Sequence, residues 1–189
     1  MGLFYLLANH IKFAYLIKKI ENSRRLGVVY ANQGDYDKAL DYYGRSLTIY
    51  EELGDKRGIT ITLGNIGIIC LNKGDYDKAE ECLDKSLTIQ KEIGIKGMEL
   101  ETTTYLYLAY KHLGKEYDVI KIHSLIKDTE NIEFELNYAI YQLLEDTSYL
   151  GTAYNQIQEK ASAMEDELSK KFLSYPIPKA IVEEWEKVK

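Results

Sequence analysis

Three histidines, two cysteines and thirty acidic residues are the side chains from which this chain could assemble an active site. His10, His112 and His123 lack metal-ligand spacing with carboxylates or cysteines. Ser124 and Lys127 form a lone S-x-x-K on a stretch that reads as helix, without the companion motifs that enzyme class requires. The paired acids Glu51–Glu52 and Glu183–Glu184 read as solvated helix faces. No G-x-x-x-x-G-K-[ST] phosphate loop, G-x-G-x-x-G or H-E-x-x-H occurs. The expectation is a non-catalytic protein with neither cofactor nor metal.

Composition narrows the partners. Hydrophobic residues make up 46% of the 189 and charged residues 29%, the balance of a chain that folds around a core. The net charge of -6 argues against nucleic acid, which asks for a basic stripe. The modest cluster Lys12, Lys18, Lys19, Arg24 and Arg25 reads as a solvated helix face. Cys70 and Cys82 are too few for a disulfide framework and fall at apolar positions, so they read as small core residues of a cytoplasmic protein.

What positions any functional side chain is a repeat. "NQGDYDKALDYYGRSLTIYEELGDK" from Asn32 and "NKGDYDKAEECLDKSLTIQKEIGIK" from Asn72 match at an offset of 40 residues. The match extends upstream, "LGVVYANQG" against "IGIICLNKG". A fixed period of this size signals stacked supersecondary units. Each unit reads as two helices. The first carries Leu26, Val29 and Tyr30, or Ile66, Ile69 and Cys70, on one apolar face. Gly34 and Gly74 end it; Asp35 and Asp75 cap the second. Ala39 with Tyr43, and Ala79 with Leu83, form the second helix's inner face, the small alanines allowing close approach. Gly54 and Gly94 close that helix.

Ser23, Leu26, Gly27, Tyr30, Ala39 and Tyr43, and then Leu63, Ile66, Gly67, Cys70, Ala79 and Leu83, follow the pattern W-x2-L-G-x2-Y…A-x3-F without its Trp. On these residues the chain resembles the tetratricopeptide repeat family. Its 40-residue period is similar to the long-repeat subgroup of kinesin light chains, Leu-Gly-Asn repeat proteins and bacterial signalling proteins. The resemblance implies an all-α fold: an α-α superhelix of helical hairpins with a helical C-terminal cap. The expected segments are a helix over 1–19 (a truncated repeat), repeats over 20–59, 60–99 and a degenerate 100–128, and a cap over 129–189. In the third copy Leu106, Tyr110, Gly114 and Tyr117 persist, the turn is a residue longer, and Ile120 takes the alanine position.

Beyond Thr129 the period is lost but helical spacing remains, with a break expected at "SYPIPK", where Pro176 and Pro178 interrupt a helix. The order Ala153, Ile157, Ala161, Phe172–Leu173, Pro178, Ile181, Trp185 is similar to the closing segment of such arrays in bacterial multidomain regulators.

The implied function is protein or peptide binding in a concave groove lined by the first helices. The candidate groove residues are Arg24, Val28, Asn32, Asn65, Ile68, Leu71, Asn72, Leu108 and Lys111, with Ala31, Gly64, Thr104 and His112 at neighbouring outward positions. In the long-repeat subgroup an Asn at the position of Asn65 contacts a bound peptide; bonding to nearby backbone is the other reading. The alternative function is a regulatory segment of a larger bacterial signalling enzyme, a cyclase, kinase or ATPase. The N-terminal stretch carries Leu3, Phe4, Leu6, Leu7, Ile11, Phe13, Leu16 and Ile17, interrupted by Asn9, His10 and Lys12. It reads as a buried helix rather than a membrane span or secretory signal. Residues 3–17 either fold back in cis or form an interface, a symmetric homodimer being the simplest arrangement.

Overall fold

A left-handed glycine follows each of the first five helices. A computed structural model describes the backbone of residues 2–189 and the side chains of residues 14–189. Among the described residues ten helices run in order: α1 Gly2–Asn32, α2 Tyr36–Leu53, α3 Lys56–Lys73, α4 Tyr76–Ile93, α5 Glu99–Leu113, α6 Val119–Lys127, α7 Phe134–Leu144, α8 Thr147–Ser162, α9 Asp166–Leu173 and α10 Pro176–Val188. Gly34, Gly54, Gly74, Gly94 and Gly114 have φ between 66° and 80°, a region in which an L side chain is strained. Aspartates begin the next helix: the backbone N–H of Lys38 donates to Asp35, that of Gly58 to Asp55 and that of Lys78 to Asp75.

Each helix packs on the next, α1 to α2 and onward to α5, and the stack then passes to α7, α8 and α10. Ala39 and Ala79 are completely buried, as the repeat pattern requires. The close approach is visible at Gly67, where a Cβ would stand 2.5 Å from Leu83 Cγ and 3.3 Å from the Ala79 carbonyl oxygen. Cys70 is buried and Cys82 half-buried, both free. Burial raises both thiols, Cys82 to about 11, so neither is a thiolate at neutral pH.

The fold departs from the sequence expectations in four places. The truncated repeat over 1–19 does not turn before the first full one; α1 is continuous from Gly2 to Asn32. Where the 40-residue offset would place Gly54 and Asp55, the chain has Ala14 and Tyr15, with neither a left-handed glycine nor a capping acceptor to stop the helix.

Leu26 and Val29 are 38% and 47% exposed, whereas their equivalents Ile66 and Ile69 are buried. The hairpin α1–α2 covers α3, and among the described residues no helix covers α1 in the same way.

Ile120 does not take the alanine position, being 82% exposed. Asp118 caps α6, and its fourth following residue, Ile122, is the one fully buried, as Ala39 follows Asp35. The cap sets the register, and the longer turn shifted it. Finally, the break expected at "SYPIPK" is present but shorter, because Pro176 and Pro178 already belong to α10, in the first turn where a missing N–H costs nothing. The break falls at Ser174–Tyr175.

The repeat turn also persists further than its sequence does. Glu145 stands at φ 59° between α7 and α8, and Asp146 caps α8 by accepting from the Ser148 N–H at 2.9 Å. Glu145–Asp146 thus does what Gly34–Asp35 does, with a glutamate in the glycine's conformation. Leu150, four residues after that cap, is fully buried. A second core gathers Phe134, Leu150, Ala153, Ile157 and Ile181, with Trp185 stacked on Tyr154 at 5.4 Å.

Candidate functional site

The groove residues expected from sequence separate into three groups. Val28, Asn32, Asn65, Ile68 and Asn72 line one cavity of about 420 Å³ on the concave side. They lie on α1 and α3, one helix turn apart along each, which follows from first helices presenting corresponding faces to the groove. Leu71 lines an adjoining cavity of about 200 Å³, shared with Asn72. Ile68 and Leu71 are half-buried, packed at their bases against the core.

Arg24 lies outside this cavity. It is exposed, and its charge favours the ionised forms of Tyr43 and Tyr50, which places it toward α2. Leu108 is a correction: it is 2% exposed, inside the core. Thr104 is completely buried as well and Gly64 is buried. At Thr104 and Leu108 the third copy's concave face is closed, and α7 packs against α5. Lys111 is likewise engaged. Its ammonium donates to the Gln142 carbonyl at 2.8 Å and the Leu143 carbonyl at 3.3 Å and pairs with Glu145 at 2.8 Å. It caps the C-terminus of α7, where unpaired carbonyls and the helix dipole favour a cation. His112 stacks on Tyr76, ring centroids 4.2 Å apart and planes 3° apart, as an inter-repeat contact.

Residues outside the expected set complete the cavity. Leu100, Glu101 and Tyr105 come from α5, Glu135 and Leu136 from α7, and Ile177 from the first turn of α10. The C-terminal cap therefore curls back across the concave face. Pro176 reaches the first inter-helix turn, close enough that a Cβ on Gly34 would lie 2.9 Å from its Cγ. The prolines at 176 and 178 were the available signal, but they mark a local turn and not its docking place.

Polar groups in the cavity point outward from satisfied helices. The side chains of Asn32, Asn65 and Asn72 make no hydrogen bond among the described residues, so Asn65 does not brace nearby backbone. Burial raises the carboxyls of Glu101 and Glu135 above their ordinary range. Lys160 counters part of this at Glu135 while Glu133 and Glu101 add to it. The lining thus offers aliphatic surface, carboxamides able to bond a peptide backbone, and carboxylates. No nucleophile activated by a base is among these residues, and among the described residues no group of His, Cys, Asp and Glu could hold a metal ion. Nor is any helix among them long and apolar enough to cross a membrane.

Residues 19–92 match the family model described as tetratricopeptide repeat. No curated protein matches the chain.

Proposed function

We propose that the chain is a non-catalytic adaptor that holds a segment of a partner protein in its concave cavity, a reading supported by the match of residues 19–92 to the tetratricopeptide repeat model. The observation that carries this reading is the convergence of Val28, Asn32, Asn65, Ile68 and Asn72 on one cavity, with the three carboxamides uncommitted to internal hydrogen bonds among the described residues. An extended peptide leaves its own N–H and C=O groups exposed, and Asn offers both a donor pair and an acceptor to them. Ile68, Val28 and Ile177 supply apolar contact for alternate side chains.

The volume suits a few residues, not a folded domain. The cap narrows the groove at Ile177, so the peptide enters beside α10 rather than running the length of the superhelix. The free thiols suit a reducing, cytoplasmic setting.

The test is affinity capture on the wild type beside Val28→Glu and Asn65→Ala. Val28 is 43% exposed, and Asn65 is half-buried with no side-chain hydrogen bond among the described residues, so neither change removes a core contact. A partner retained by the wild type and lost from both variants, with circular dichroism unchanged, supports the groove. A partner retained equally by all three proteins overturns it.

A further inference from the structure

The cavity carries more negative charge than the fold neutralises. Neighbouring acids have partners: Glu99 pairs with Lys121 at 3.1 Å and Glu133 with Lys160 at 2.8 Å. Glu101 and Glu135, both lining the cavity from different helices, have no ion-pair partner among the described residues. Tyr105 lies beside them. It is only 6% exposed, lines both this cavity and the adjoining one, and its hydroxyl makes no hydrogen bond among the described residues. Burial, reinforced by the charges of Glu101 and Glu135, keeps its phenol protonated. The Tyr105 side chain is more than nine-tenths buried while its hydroxyl reaches the cavity without a partner among the described residues, and carboxylates crowded by protein ordinarily meet a cation. Here two carboxyls and one unpartnered hydroxyl face the same space, floored by Ile68 and Leu100.

We infer that this space takes an arginine side chain of the bound peptide, with Glu101 and Glu135 as charge partners and Tyr105 accepting a guanidinium N–H. The inference rests on the groove reading above and specifies its ligand. Arginine fits better than lysine because its planar fork can address two carboxylates at once, and its three-carbon stem packs on the aliphatic floor. The asparagine carboxamides bind the peptide backbone on either side.

The probes are four fluorescein-labelled peptides, Ala-Ile-X-Ile-Ala-Ala with blocked termini, X being Arg, its neutral isostere citrulline, Leu or Glu. Fluorescence anisotropy measures binding to the full chain and to Glu101→Gln with Glu135→Gln. A charge-assisted pair outweighs a neutral one by roughly tenfold. The Arg peptide is expected to bind about tenfold more tightly than citrulline, with Glu weakest, and the double variant to bring Arg and citrulline within about threefold. Equal binding of Arg and citrulline by the wild type, still weakened by Val28→Glu, overturns the arginine site and leaves the groove standing. So does an Arg preference that survives in the double variant. Failure of all four peptides to bind at millimolar concentration overturns both.

Discussion

Pro176 sits against Gly34, so that the first turn of α10 closes onto the turn between α1 and α2 although 142 residues separate them in the chain. A Cβ at residue 34 meets two penalties there: the left-handed φ of 79° and a 2.9 Å approach to Pro176 Cγ. Gly74 has the same conformation, φ 80°, with nothing nearer than the Tyr76 hydroxyl at 4.0 Å. Gly74→Ala is therefore expected to cost about 1–2 kcal/mol from backbone strain alone. Gly34→Ala should cost measurably more and raise hydrogen exchange across α10. Equal losses by denaturant titration would show that the cap does not rest on the first repeat.

Glu145 is the one described residue other than glycine with a positive φ. Its strain is worth about 1–2 kcal/mol, while its ion pair with Lys111 is exposed and screened by solvent. Lys111 keeps its two carbonyl acceptors on α7 without it. Glu145→Gly should therefore stabilise the protein, read as a higher Tm. A lower Tm would mean that the ion pair outweighs the backbone strain.

Gly67 and Ala79 test the hairpin contact itself. Gly67→Ala places a methyl 2.5 Å from Leu83 Cγ, with the Ala79 carbonyl behind it, so the helices must separate. The expected loss is about 1–3 kcal/mol, and Ala79→Trp should cost at least as much. Wild-type melting of both variants by circular dichroism would contradict the packing of α3 on α4.

The carboxyls of Glu101 and Glu135 give stability a definite pH dependence. Both pKa values are raised by burial, so the fold disfavours their charged forms. Below the unfolded glutamate pKa of about 4.3 the groups are neutral in both states and cost nothing. The destabilisation develops as pH rises through that value and is complete above the raised folded pKa. Glu101 keeps contact with water at the cavity mouth, so the half-buried Glu135 carries more of the effect. Glu135→Gln should have a higher Tm than wild type at pH 7 and an equal one near pH 4. A lower Tm at pH 7 would show that Lys160 outweighs burial at this position.

The parts legible in the sequence were those that local chemistry sets. Gly34, Asp35 and Ala39 recur as Gly74, Asp75 and Ala79 because a left-handed stop, a cap and a small contact residue are each required within a few positions. Five of the expected residues, Val28, Asn32, Asn65, Ile68 and Asn72, line one cavity because one helix face translates onto the next. Leu108 and Lys111 did not, because whether an outward face stays outward depends on α7 packing over it. Glu135 and Ile177 were also hidden, since they reach the cavity through long-range closure and no short pattern records it, whereas Tyr105 is the third copy's equivalent of Asn65, 40 residues on, and was open to the same translation. Ile120 failed for a different reason: a longer turn moved the cap, and the cap sets the register.

The final prediction concerns the uncovered side of α1. The expected interface over residues 3–17 falls mostly where side chains lie outside the described residues, but Tyr15 and Ile17 are within them and are 64% and 38% exposed. Tyr15, Leu26 and Val29 are spaced about three and four helical turns apart and so share one face. Their repeat neighbours show what such a face receives: Ile66 and Ile69, at the equivalent positions, are buried beneath a helical hairpin. We propose that a second copy of the chain supplies the cover, α1 pairing with α1 about a two-fold axis. Leu26→Lys with Val29→Lys removes apolar surface that is already exposed, so the monomer's fold should be unaffected. Light scattering should report a wild-type dimer at high micromolar concentration and a monomeric double variant with unchanged helicity. A wild type that remains monomeric there would refute the pairing.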